Sequence, residues 1–267
     1  FGAGGALALA IGAPETDSSG VYLVTDITAG GAALETTPLL TGARSGGRAG
    51  ATLVAAGDVN GDGLADLLVG ALTDDRGAPN GGVAFLLHGP LSASGSLEDA
   101  DAIVRGTRTG AALGGGLGAP GDVDGDGNDD ILVGAYADST VAVGAGAAYL
   151  LSGPLSGTVA VSAAQATLLG QYRGDALGQE IGGPGDVNGD GVPDLLLGSP
   201  AADRMGPASG AAFVFLGPVS GTRSAELAEA IVTGFVAGGR VGAAVAFVPD
   251  LDGDGADELL LGGPAVS

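Results

Sequence analysis

Apolar residues in this chain come in short runs bounded by glycine, and the runs recur at a constant interval. Asp66-Leu67-Leu68-Val69-Gly70-Ala71 has sisters beginning at Asp130, Asp194 and Glu258, each 64 residues after the one before. Runs of this length between Gly- and Pro-rich segments predict buried β-strands, because helices need ten or more residues at a 3.6-residue period. In the second copy, Ala51 to Ala56 reads as a first strand, Asp66 to Ala71 as a second, Gly82 to Leu87 as a third and Ala102 to Arg105 as a fourth. An acidic loop, a polar turn from Thr73 to Gly81 and a Ser/Gly-rich loop join them. These connections are too short for crossovers, so the strands are expected to run antiparallel.

The pattern divides the chain into repeats over about 1–48, 49–112, 113–176, 177–240 and 241–267. The first is shortened and lacks an acidic loop, although Val21 to Val24 and Pro38 to Leu40 preserve its later strands. The last stops after two strands, which suggests a piece of a longer protein. Phe85, Tyr149 and Phe213 keep the 64-residue phase and are expected to be repeated core residues. An equal phase in every four-stranded unit predicts an all-β fold, a β-propeller of antiparallel blades rather than a sandwich. A β-solenoid stays open if each unit spans more than one coil.

Gly 55 in 267 residues adds many tight turns to this picture. The formal charge of -22, with nine arginines and no lysine, disfavours nucleic acid and anionic membranes as partners and favours cations. Zero cysteine excludes disulfides and thiolate metal sites, and no apolar run reaches the roughly 18 residues of a membrane span. With a single histidine and no nucleophile paired to a base, an enzyme mechanism has nothing to rest on. His88, replaced by Ser152 and Leu216 in the other copies, reads as a strand-end surface residue.

Much of the negative charge lies in the four acidic loops. They follow the pattern D-x-[DN]-G-D-G-x-x-[DE] and begin at Asp58, Asp122, Asp186 and Asp250. Positions 1, 3, 5 and 9 supply side-chain oxygens: Asp58, Asn60, Asp62 and Asp66; Asp122, Asp124, Asp126 and Asp130; Asp186, Asn188, Asp190 and Asp194; Asp250, Asp252, Asp254 and Glu258. Position 7 holds Leu64, Asn128, Val192 and Ala256, a set without shared side-chain chemistry, as a backbone-carbonyl ligand tolerates. An all-oxygen, carboxylate-rich donor set favours Ca²⁺ over Mg²⁺ or Zn²⁺, about four ions in all. An EF-hand is excluded, because position 12 is Val69, Val133, Leu197 and Leu261, inside a strand.

These features resemble the FG-GAP repeats of integrin alpha subunits and their bacterial relatives. Phe1-Gly2 and Gly12-Ala13-Pro14 carry the landmark residues literally, and four later copies place the acidic loop between matching landmarks. The Phe gives way to Ala49, Leu113, Leu177 and Val241, and the Pro survives as Pro14, Pro200 and Pro264. The resemblance implies a seven-bladed, calcium-bearing, extracellular propeller used for adhesion or ligand recognition. Ligands are then expected on the face opposite the acidic loops. That face would carry Arg44, Arg48, Arg108, Arg173 and Arg240 beside Asp74, Asp75, Arg76, Asp138, Asp203 and Arg204, suiting a protein or a polar, anionic ligand.

Arg173-Gly174-Asp175 spells a tripeptide that some integrins bind in their partners, but repeat structure accounts for its Gly-Asp pair. The leading expectation is a secreted or cell-surface bacterial binding module with structural calcium and no membrane insertion of its own. The alternative is a non-catalytic accessory domain of a larger secreted enzyme such as a phospholipase. A carbohydrate-binding propeller would need repeated aromatics and amides on one face, which the loops lack.

Overall fold

The computed structural model describes residues 9–14, 19–24, 40–42, 46–91 and 95–264. Phe1, Gly2, Pro38, Leu39 and Arg44, which entered the sequence reading, lie outside them. The described chain is all-β, and its sheets are the blades of a propeller.

In the second blade Thr52–Gly57, Asp66–Ala71, Val83–Leu87 and Ala102–Arg105 pair in chain order, each antiparallel to the next. The third blade repeats this with Leu113–Gly121, Asp130–Ala135, Ala147–Leu151 and Ala166–Leu169. The fourth does so with Glu180–Ile181, Leu195–Ser199, Ala211–Phe215 and Ala230–Thr233. Register is copied along with order: Val69 faces Phe85, Val133 faces Tyr149 and Leu197 faces Phe213. Leu9–Ala13, Gly20–Val24 and Leu40–Thr41 form the first blade, and the hairpin of Ala244–Val248 with Glu258–Gly262 begins the fifth.

The core lies between blades. Phe85 packs with Val21 and Leu40 of the first blade, Tyr149 with Leu86 and Val104 of the second, and Phe213 with Leu150 and Leu168 of the third. The repeated aromatics are therefore core residues, as their phase predicts. A strand sandwiched between two neighbours loses the usual in-out alternation, and Asp66–Ala71 and Asp130–Ala135 are buried at every position. Glu258–Gly262, with a described neighbour on one side alone, is half-buried, and its Leu260 is exposed.

The repeat landmarks are where blades touch most closely. Gly12, Gly70, Gly134 and Gly198 each end a second strand against Gly50, Gly114, Gly178 and Gly242 of the following blade. A Cβ on any of the first set would sit 2.0 to 2.2 Å from the facing glycine's carbonyl oxygen. The facing glycines adopt φ between 79° and 85°, which other residues rarely occupy.

One feature of the connections departs from the sequence reading. The Ser/Gly-rich segments between third and fourth strands contain an additional strand that runs parallel to the preceding blade's outer strand. Gly95–Ser96 pairs with Leu40–Thr41, Gly157–Ala160 with Ala102–Arg105, and Gly221–Ser224 with Ala166–Leu169. A short 3-10 turn follows each, and Leu97, Val161 or Ala225 in that turn is buried. These strands are largely exposed, so no hydrophobic alternation marks them, and they strap each blade to the one before it.

Candidate metal centre

Each acidic loop turns the chain from a blade's first strand into its second. The carboxylate at position 1 organises the turn by accepting backbone N–H groups from positions 4 to 6. Asp122 takes those of Gly125, Asp126 and Gly127 at 2.7 to 3.1 Å. Asp186 and Asp250 take the corresponding three, and Asp58 takes those of Asp62 and Gly63. What little burial Asp186 has pushes its carboxyl up, but the N–H groups of Gly191, Asp190, Gly189 and Asn188 outweigh it and hold it below the usual range. Gly125 and Gly127, at φ 77° and 94°, let the backbone close round the carboxylate. Position 7 participates through its N–H, which each of Leu64, Asn128, Val192 and Ala256 donates to the position 5 carboxylate.

Position 9 anchors the loop to the blade. Asp130 accepts N–H groups from Val123 at 3.0 Å and Gly153 at 3.1 Å; Asp66 and Asp194 make the same pair of bonds, to Val59 with Gly89 and to Val187 with Gly217. The Gly-Pro turns that end the third strands thus hold the acidic loops from below. Burial pushes the Asp130 carboxyl up to about 6, with the two N–H donors opposing and the Asp124 and Asp122 charges reinforcing. Burial raises Asp66 and Asp194 in the same way. A carboxyl that holds its proton more tightly folded than unfolded favours the fold when protonated. That stability is complete below about 3.8 and is lost as pH rises through about 6. In chelator the protein is therefore expected to melt higher at pH 5 than at pH 7.5; a melting temperature that climbs across this interval would contradict the assignment.

Oxygen atoms converge in two loops. One carboxylate oxygen each from Asp122, Asp124 and Asp130 lie within 4.8 Å of one another, as do one each from Asp250, Asp252, Asp254 and Glu258. Two ligands of one calcium ion, each about 2.4 Å from it, are at most about 4.8 Å apart, so neither set is spread too widely to share a single ion. In the other two loops Asn60 and Asn188 stand at position 3, where each amide donates to the position 5 aspartate, Asp62 or Asp190, and offers its oxygen to that residue's N–H. Their donors are also all oxygen, with one charge fewer. Clustered carboxylates without a counter-charge repel one another, which a dication reverses.

Position 8 escaped the sequence reading. Asp129 Oδ2 accepts the N–H of Asp58 at 2.7 Å, and the Asp129 N–H returns a bond to the Asp58 carbonyl at 3.0 Å. Asp257 and Asp186 repeat this at 2.9 and 2.8 Å. The signal was present as an extra acid in the second and fourth loops alone, where the others have Ala65 and Pro193.

At the opposite end of the blades, the 2–3 and 4–1 loops bond to one another, as between Gly110 and Pro79 or Gly174 and Val143, and so form one face. Several charges assigned to that face serve the fold instead. Arg76 is buried over Phe85, paired with Asp74 and Glu98. Arg204 lies between the Tyr172 and Phe213 rings, paired with Asp175 and Glu226. Asp138 meets Tyr149 and Arg108. Arg48, Asp75, Arg108, Arg173, Asp203 and Arg240 remain exposed. Asp175 of the Arg-Gly-Asp tripeptide is buried, accepts the Tyr172 N–H and takes the Ser199 hydroxyl on its carbonyl, so it faces inward rather than toward a partner. His88 is half-buried against Asp101.

Comparison with known proteins places these observations among relatives. A family model described as FG-GAP repeat matches residues 39–87 and 180–215. Integrin alpha-PS2 of Drosophila melanogaster is 41% identical over 108 residues, covering 38% of this chain and 7% of the relative. Integrin alpha pat-2 of Caenorhabditis briggsae is 29% identical over 225 residues, covering 78% of this chain and 17% of the relative. The chain thus spans less than a fifth of the length of either.

Proposed function

This chain is built from FG-GAP repeats and is related to integrin alpha subunits; from that premise we propose that it is a calcium-stabilised, extracellular binding module. Its acidic loops hold about four Ca²⁺ through Asp58, Asn60, Asp62 and Asp66 and their in-phase counterparts, with the carbonyls of Leu64, Asn128, Val192 and Ala256. Bound calcium supplies counter-charge and ties each blade's first turn together; it does no chemistry on a substrate. The observation that carries this reading is the convergence of carboxylate oxygens within 4.8 Å in two of the four loops copied at a fixed interval, 122–130 and 250–258. Sites of this exposed, loop-borne kind suit the millimolar calcium outside cells. No helix among the described residues is long and apolar enough to cross a membrane. A protein or a polar, anionic ligand would engage the opposite face, where Arg48, Arg108, Arg173 and Arg240 are exposed.

Calorimetric titration of the chelator-stripped protein is expected to show uptake of about four Ca²⁺ per chain, with Mg²⁺ bound more weakly because it resists losing its water. Absence of calcium uptake would overturn the reading.

A further inference from the structure

We propose that the acidic loops take up calcium as two coupled pairs, 58–66 with 122–130 and 186–194 with 250–258, and that Asp129 and Asp257 are the positioning residues that couple them. The proposal rests on the calcium reading above.

The geometry treats the junctions between loops unequally. Where blades two and three meet, Asp129 grips the backbone of Asp58 with two reciprocal bonds. Asp58 is position 1 of its own loop, so this contact fixes the residue whose carboxylate gathers the turn. Asp129 sits between Asn128 and Asp130, at positions 7 and 9 of the next loop. An ion that orders those two residues therefore orders Asp129, and with it the first loop. The two loops also touch directly: a Cβ on Gly61 would lie 2.6 Å from Asn128 Oδ1. Asp257 grips Asp186 in the same manner, and a Cβ on Gly189 would lie 2.9 Å from the Gly255 carbonyl.

The junction between these pairs is chemically incapable of the same link. Pro193 occupies position 8 there, with neither an N–H to give the Asp122 carbonyl nor a carboxylate to receive the Asp122 N–H. Its ring instead approaches Gly121, where a Cβ would lie 3.4 Å from Pro193 Cγ. Coupling therefore stops between the second and third loops.

The test is a calcium titration of the stripped full chain, followed loop by loop through the amide NMR signals of the two glycines in each motif. In the wild type, signals from 58–66 and 122–130 are expected to move at one midpoint with a slope steeper than single-site binding. Asp129→Ala removes no ligand of the 58–66 loop, yet it should raise that loop's midpoint about fivefold or more and flatten its slope, leaving 186–194 and 250–258 unchanged. Asp129→Asn keeps an acceptor for the Asp58 N–H and should preserve the coupling. Pro193→Asp should create a new coupling between 122–130 and 186–194. Because occupancy of the 122–130 loop is what orders Asp129, Asp122→Ala should also weaken the 58–66 loop, an arm that does not depend on how Asp129→Ala folds. A 58–66 loop that titrates unchanged in Asp129→Ala and Asp122→Ala, with calcium still bound, would overturn the coupling alone. Glycine signals that stay still in every loop would overturn the calcium reading and the coupling with it.

Discussion

Removing divalent cations at neutral pH is expected to lower the melting temperature by about 20 °C or more, and added Ca²⁺ is expected to restore it. A ligand that binds only the folded state stabilises it by about 2.7 kcal/mol at a hundredfold excess over its dissociation constant. Four such sites would contribute roughly 11 kcal/mol, and a chain of this size shifts by about 2–4 °C per kcal/mol. Bound ions would act where the fold is electrostatically weakest, since four dications would bring the formal charge from -22 to about -14. The loops also bear on blade order, because Asp130 holds both its own turn and the end of the third strand through Gly153. Thermal melts in calcium and in chelator decide the matter: coincident curves would remove structural calcium from this protein. Mg²⁺ should restore less, since a near-octahedral shell fits poorly to several converging carboxylates.

Strands and loops were legible in the sequence because each carries a local signal. The run from Asp66 to Ala71 is apolar and bounded by glycine, and the structure makes it a strand with those ends. The acidic loop reads directly because a tight turn round a carboxylate needs glycine at two fixed places. Features that depend on a neighbouring blade were hidden. Gly157–Ala160 pairs with a strand more than fifty residues earlier in the chain and has no apolar face to show it. Asp129 acts on another loop altogether, so its meaning lay in a comparison between loops rather than within one.

The opposite face shows the same limit in its charges. Arg76 and Arg204 looked like surface arginines, but each lies over a core aromatic ring and pairs with acids on other segments. Their guanidinium heads stack on these rings and meet carboxylates at the same time, which a count of charges in loops cannot reveal. Thr140 stands at the in-phase position of the third blade, and there the aromatic is Tyr149, whose hydroxyl reaches Asp138. The polar partner of the buried acid has moved from one side chain to another while the layout has been kept. The charges that stay exposed on that face are a smaller set, led by Arg108, Arg173 and Arg240.

Gly134→Ala is expected to destabilise the protein by about 3 kcal/mol, or roughly 10 °C in melting temperature, through the contact that sets blade spacing. Its backbone is not in the left-handed region, so an alanine there meets no conformational strain. The penalty is steric. The added Cβ would lie 2.0 Å from the Gly178 carbonyl oxygen and 2.9 Å from its carbon, both rigid backbone atoms. Gly178 has little room to retreat, since it holds φ at 79° with its own Cβ position 2.8 Å from the Ala147 carbonyl. The blades would have to part, opening the cluster around Leu132, Leu150 and Leu195 that lies between them. Gly183→Ala is the matched control, because nothing lies within 4 Å of its Cβ position and its φ is ordinary; its effect should stay within about 0.5 kcal/mol. The Gly134→Ala deficit should persist at saturating calcium, which separates blade packing from loop occupancy. If the two variants melt together, the close approach of these landmark glycines does not govern how the blades stack.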